Sequence, residues 1–150
     1  MIVPVLGAAI AIALLTLQKP QGYGDPMDVQ RHVARLLPYF PEMALVHWHE
    51  SHNDETYIRE KINAFLCTRN GEGIPYDDNI MTYVILHELA HGMQTKFGHG
   101  QEWMATFYSL LDRAIASDLL NPSLLTPQQY CRYQLLKWTP IFLSLWVEMG

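Results

Sequence analysis

"HELAHGMQTKFGHGQEW", residues 87–103, holds three of the chain's seven histidines, two glutamates and three glycines in seventeen positions. His87 and His91 are four residues apart. On a helix that spacing puts both imidazoles on one face, about one turn apart, so that they can share a single zinc ion. Glu88 lies beside that face, where a carboxylate takes a proton from metal-activated water instead of binding the metal itself. A catalytic zinc needs a third protein ligand and an open fourth position. His99 is the natural third ligand, on one condition. A helix running unbroken through position 99 would carry that imidazole roughly 12 Å along the axis past His91. The helix must therefore stop soon after His91 and the chain must turn back. Gly98 and Gly100, on either side of His99, permit such a turn. Glu102 is a second candidate ligand; its plainer role is a carboxylate favoured by the dipole of the following helix.

The flanking sequence fits a helical setting for this stretch. Met81, Val84, Ile85 and Leu89 form an apolar stripe that predicts a helix from about 78 to 95, with Asp77 or Asp78 as its cap. Trp103, Phe107, Leu110, Leu111, Ala114 and Ile115 form the stripe of a following helix, closed by Asn121 and Pro122. Upstream, Asp25 and Pro26 read as an N-cap and first helical position. Val29, Val33, Leu36 and Leu37 continue that helix until Pro38. "MALVHWH", residues 43–49, alternates like a strand with one buried face, and "KINAFLC", residues 61–67, reads as a second strand. Thr126, Pro127 and Gln129 give a capping-box start to a last helix, which Pro140 should kink or end.

Apolar residues make up 49% of the chain, an ordinary share that conceals an uneven distribution. Residues 1–17, "MIVPVLGAAIAIALLTL", carry no charged side chain. As a helix, Ile2 to Leu17 would span roughly 24 Å, a little short of the ~30 Å hydrocarbon core of a bilayer. No basic residue precedes the run and no good cleavage site follows it, so a membrane anchor fits better than a cleaved leader. A buried core helix is the competing reading. The expectation is a single-pass N-terminal anchor at 1–18 and a linker at 19–25. A catalytic domain at 26–122 and a C-terminal helical extension at 123–150 follow. Lys19 weakly favours a cytoplasmic C-terminal side.

The net charge is −5 and no polybasic stretch occurs. Phosphate contacts need clustered Lys and Arg, so strong nucleic-acid binding is not expected. Cys67 and Cys131 stand far apart in no metal-type spacing and are expected as two buried free thiols, with a single bridge as the alternative. His47, His49 and His52 form a second histidine group. Its ordinary reading is a solvated strand face and turn, and a second possibility is that this strand borders a substrate cleft. Tyr83, one turn before His87, reads first as a packing residue and second as a group near the metal. Tyr57 and Tyr76 are weaker candidates. Trp103 is expected to pack behind His99.

The run "YVILHELAHGMQTKFGHGQEWMATFYSLL" resembles the WLM and SprT-like zinc metallopeptidases, a branch of the gluzincin-type zincins. His87, Glu88, His91 and His99 match the two helix ligands, the base and the third ligand, and Gly100 and Trp103 match the flanking pattern. The likeness covers roughly residues 44–115 and is strongest from 81 to 111. The gap between His91 and His99 is close to the WLM type and shorter than in typical SprT proteins. The resemblance implies a small α+β zincin-like fold, in which a short mixed sheet packs on the H-E-x-x-H helix and further helices. It implies hydrolysis of peptide bonds in a protein or peptide substrate, with one zinc per chain. The best-known relatives cleave proteins crosslinked to DNA, and their additional DNA- and ubiquitin-system-binding segments are not visible here. Short anchored forms look more like versions carried by large DNA viruses. Two alternatives accompany the anchored peptidase: a zinc-stabilised structural or adaptor protein of a membrane or virion assembly, and a DNA–protein crosslink protease.

Overall fold

The computed structural model describes residues 25–136. They form an α+β domain with three helices and two small sheets. Helix α1 spans Pro26–Leu36 and starts as its sequence dictates. The Asp25 side chain accepts the Met27 amide at 2.9 Å, while the Asp25 amide donates to Asp28 at 3.2 Å. A 3-10 turn at Pro41–Leu45 leads into strand β1, His47–Glu50. Strands β2, Tyr57–Arg59, and β3, Asn63–Leu66, follow. The sheet order is β1-β3-β2, with β1 parallel to β3 and β2 antiparallel to it.

Helix α2, Asp78–Met93, is the central element. Asp77 caps it by accepting the Ile80 amide at 2.8 Å. Asp78 is left to pair with Arg31 of α1 at 2.9 Å. The apolar stripe read from sequence understates its burial. Every residue from Ile80 to Leu86 is buried, because α1, the sheet and helix α3 (Gln101–Ala116) all contribute to the core around it. At Gly92 helix α2 runs close against Val46 and the turn between β2 and β3. A Cβ there would come within 3.0 Å of Val46 Cγ2 and 3.1 Å of the Lys61 carbonyl oxygen.

Three expectations are corrected. The helix expected from Thr126 is replaced by a two-stranded hairpin, β4 (Gln129–Tyr130) and β5 (Tyr133–Gln134). Tertiary contacts override the local capping signal there. Tyr130 is buried, and Cys131, at a left-handed φ of 49°, is bonded covalently to Cys67. That bond is the second correction: the two cysteines are a disulfide and not free thiols, with Cα atoms 6.6 Å apart across a sequence separation of 64. Distance along the chain concealed that the end of β3 and the hairpin meet. The third concerns the single-pass membrane location. Among the described residues no helix is long and apolar enough to cross a membrane. Even α2, the most thoroughly buried, has only 16 residues and carries His87, Glu88 and His91. Residues 1–18, on which the anchor was expected, lie outside the described residues, as do residues 137–150.

Beneath α1 lies a polar cluster of Glu50, Asp28, Thr68 and Arg69. Thr68 Oγ1 stands 3.1 Å from carboxylate oxygens of both Glu50 and Asp28, and Arg69 Nε donates to Asp28 at 2.8 Å. Burial pushes the Glu50 carboxyl up to about 8, with the Asp28 charge adding to the rise and the Thr68 hydrogen bond and Arg69 opposing it. The folded value lies above the ordinary 4.5, so its stabilising contribution is complete below about 4.5 and is lost as pH rises through about 8. We expect Glu50→Gln to unfold at higher denaturant than the wild type at pH 8 and at similar denaturant at pH 4.5. Urea titrations at the two pH values check this, and equal differences at both would refute it.

Candidate metal centre

His87 and His91 project from α2 one turn apart, and the helix ends at Met93. The chain then turns back, as the third-ligand geometry requires. Gly98 takes a φ of +86°, a conformation costly for any side-chain-bearing residue. Gly100 is extended and simply precedes α3, with open space where a Cβ would stand. Glu102 closes the turn from the first residues of α3. Its carboxylate accepts the Thr95 amide at 2.7 Å and the Lys96 amide at 3.1 Å. These backbone bonds, Lys96 first, hold its pKa below the usual carboxylate range. Glu102 is therefore the clasp of the loop and not a ligand.

The result is a triangle of imidazole nitrogens. His91 Nε2 lies 3.3 Å from His87 Nε2 and 3.1 Å from His99 Nε2, and the latter two are 3.1 Å apart. These three residues form a group able to hold a metal ion. The remaining group of this kind among the described residues, Asp54 with Cys67 and Cys131, has its sulfurs consumed by the disulfide. Burial and the neighbouring imidazoles hold His87 well below its usual pKa. Burial, His99 and Lys61 bring His91 down to about 4. Neutral rings with a free nitrogen are the form in which histidine binds a metal.

Around the triangle stands a supporting shell. Trp103, fully buried, lies with its ring centroid 4.6 Å from His87, 5.3 Å from His91 and 4.5 Å from His99. It thus backs all three imidazoles, where the sequence suggested only His99. Its indole nitrogen donates to the His87 carbonyl at 3.2 Å, joining α3 to α2 at the site. Gln94, not singled out from sequence, places its amide 2.9 Å from His91 Nδ1 and 2.9 Å from the Gly98 carbonyl oxygen. One side chain therefore sets both the second imidazole and the loop leading to the third. Its position three residues after His91, one helical turn on, was the available signal.

Glu88 is buried beside the triangle, and among the described residues no hydrogen bond ends on its carboxylate. Burial alone pushes its pKa up to about 8. It lines a cavity of about 620 Å³ together with the three histidines. Tyr57 and Ile58 of β2 form part of another wall, and the hairpin adds Tyr130, Arg132 and Tyr133. The strand that borders the cavity is thus β2 and not β1, because β3 separates β1 from it. His47 and His49 are exposed on β1, where His49 bonds Asn63 at 3.0 Å and stacks on Phe65. His52 is also exposed, and none of the three joins a metal-capable group among the described residues. Tyr83 is buried edge-on to Phe107 and also lines the cavity. Tyr76 instead accepts the Cys131 amide at 2.8 Å.

No family model matches the chain, and no solved structure matches it significantly. Over 80 residues it is 35% identical to uncharacterized protein 042R of Invertebrate iridescent virus 3, covering 53% of this chain and 50% of that protein. It is 32% identical over 80 residues to uncharacterized protein 136R of Invertebrate iridescent virus 6, covering 51% of this chain and 45% of that protein. The chain spans about half the length of the curated relatives it matches.

Proposed function

We propose that this chain is a zincin-like, zinc-dependent peptidase in which His87, His91 and His99 hold one zinc ion and Glu88 is the general base. The carrying observation is the nitrogen triangle with a buried carboxylate beside it. A tetrahedral zinc roughly 2.0–2.1 Å from each nitrogen implies nitrogens roughly 3.3–3.4 Å apart. The observed edges of 3.1–3.3 Å are close to that spacing. Three ring nitrogens so near each other face one common point, where a single cation can meet all of them. Among the described residues the metal-capable group contains three histidines and no fourth side chain, the ligand count of a catalytic site.

Bound there, zinc would supply a Lewis acid and an acidified water. Glu88 would accept a proton from the attacking water as its oxygen bonds to the peptide carbonyl carbon. The same carboxyl would then pass that proton to the departing amine nitrogen, so the carbon–nitrogen bond breaks to give an acid and an amine. A divalent charge beside Glu88 would also favour its ionised, proton-accepting form. Resemblance to the WLM and SprT-like peptidases supports the same assignment of His87, Glu88, His91 and His99.

The full chain, purified and analysed for metal, should contain about one zinc. It should hydrolyse casein or a peptide library, lose that activity to a chelator and regain it with added zinc. Stoichiometric zinc without hydrolysis of any peptide would sink the peptidase reading and leave a zinc-stabilised structural protein.

A further inference from the structure

Phe97 is 82% exposed, more than any other large apolar side chain among the described residues. It lies on the loop between the second and third imidazoles and lines the metal cavity. Its surroundings are fixed from two sides. The loop is clasped by Glu102 and by Gln94. From the β2–β3 turn, Lys61 sets its Nζ 4.5 Å from the Phe97 ring centroid and also donates to the Gln94 carbonyl at 2.9 Å. That turn holds Glu60 at a φ of 56° and Lys61 at 63°, a left-handed pair without glycine. Such backbone is unfavourable for L side chains and tends to accompany functional sites. An aromatic ring is thus kept in water at the cavity rim and braced in place by a lysine.

Among the cavity's other lining groups, Ile58, Tyr133, Leu135 and Leu136 are apolar or aromatic, and Arg132 is a cation. We propose that Phe97 is the specificity-determining residue of this cleft, receiving one large apolar or aromatic side chain of the peptide substrate. A basic side chain would meet the Lys61 ammonium beside the ring and is disfavoured. This inference rests on the peptidase reading for its substrate, but the ring's selectivity is measurable without turnover.

Two measurements on the full zinc-loaded chain test it. In the first, quenched fluorescent peptides that differ at one scanned position (Phe, Leu, Ala or Lys) are hydrolysed by wild type, Phe97→Ala and Phe97→Leu. Phe97→Ala should lower kcat/KM for the Phe and Leu peptides about 10-fold, chiefly through KM, and change the Ala peptide less than about 2-fold. Phe97→Leu should recover most of the loss. In the second, the same peptides are bound to Glu88→Gln with and without Phe97→Ala, read by fluorescence anisotropy. The preference for Phe and Leu over Ala and Lys should appear there and fall with the ring. If the binding preference survives removal of the ring, or all peptides weaken equally, the inference is overturned. A ring-dependent binding preference with no hydrolysis by wild type would keep it and overturn the peptidase reading alone.

Discussion

Glu88→Gln is expected to keep zinc at about one per chain while lowering kcat for peptide hydrolysis by at least ~10²–10⁴-fold, the range that a positioned proton acceptor supplies. The exchange preserves shape and removes the ability to hold a proton. The three imidazoles that form the triangle are untouched by it. Folding should not suffer, because no hydrogen bond among the described residues ends on this carboxylate. A neutral amide also avoids the cost of an ionised carboxylate at this buried position, the cost that raises the Glu88 pKa to about 8. The measurement is kcat on one peptide, metal content and thermal midpoint on the same preparations. If kcat falls less than 10-fold with zinc retained, Glu88 is not the base.

The second large effect is on stability. Replacing both Cys67 and Cys131 by serine opens a covalent link across a separation of 64 residues. Loop-closure entropy for a link of that length is worth about 4 kcal/mol in the chain-entropy treatment. For a domain of this size that corresponds to a fall in Tm on the order of 10–20 °C. The local consequence is larger than the global one. A hairpin of two residues per strand has little stability of its own. Without the bridge it would hold to the domain through the Tyr130 hydroxyl, bonded to Thr56 and to the Cys67 carbonyl, through the Cys131 amide on Tyr76, and through Arg132 on Glu55 and the Asp54 carbonyl. Hydrogen exchange at residues 129–136 should therefore quicken more than in α2. A Tm within a few degrees of wild type, with unchanged exchange in the hairpin, would show that packing alone holds this wall.

How much of this was legible from residues is clearest by comparing α2 with the hairpin. His87, His91 and His99 were readable because a helix imposes its spacing locally and Gly98 announces the turn. Nothing beyond the stretch itself was needed. Burial of α2 on all sides was only half legible, since a helix covered by partners on every flank has no single stripe to display. β2 was missed because three residues are too few to show a period. The hairpin was misread for a different reason. Thr126 and Gln129 are good capping residues, but a covalent bond to Cys67 and the burial of Tyr130 outweigh propensities of a fraction of a kcal/mol per residue. Gln94 and the triple role of Trp103 depend on where α3 lies against α2, which no short window of sequence contains.

The bridge between Cys67 and Cys131 also closes the chain into a covalent ring that contains His87, His91 and His99. A cut at the exposed Lys96 or Phe97, whether by a foreign protease or by a neighbouring copy of this chain, would leave both pieces tied together. Such nicked molecules would migrate as intact protein on a gel until thiol is added. Self-processing between Cys67 and Cys131 would thus be visible only under reducing conditions.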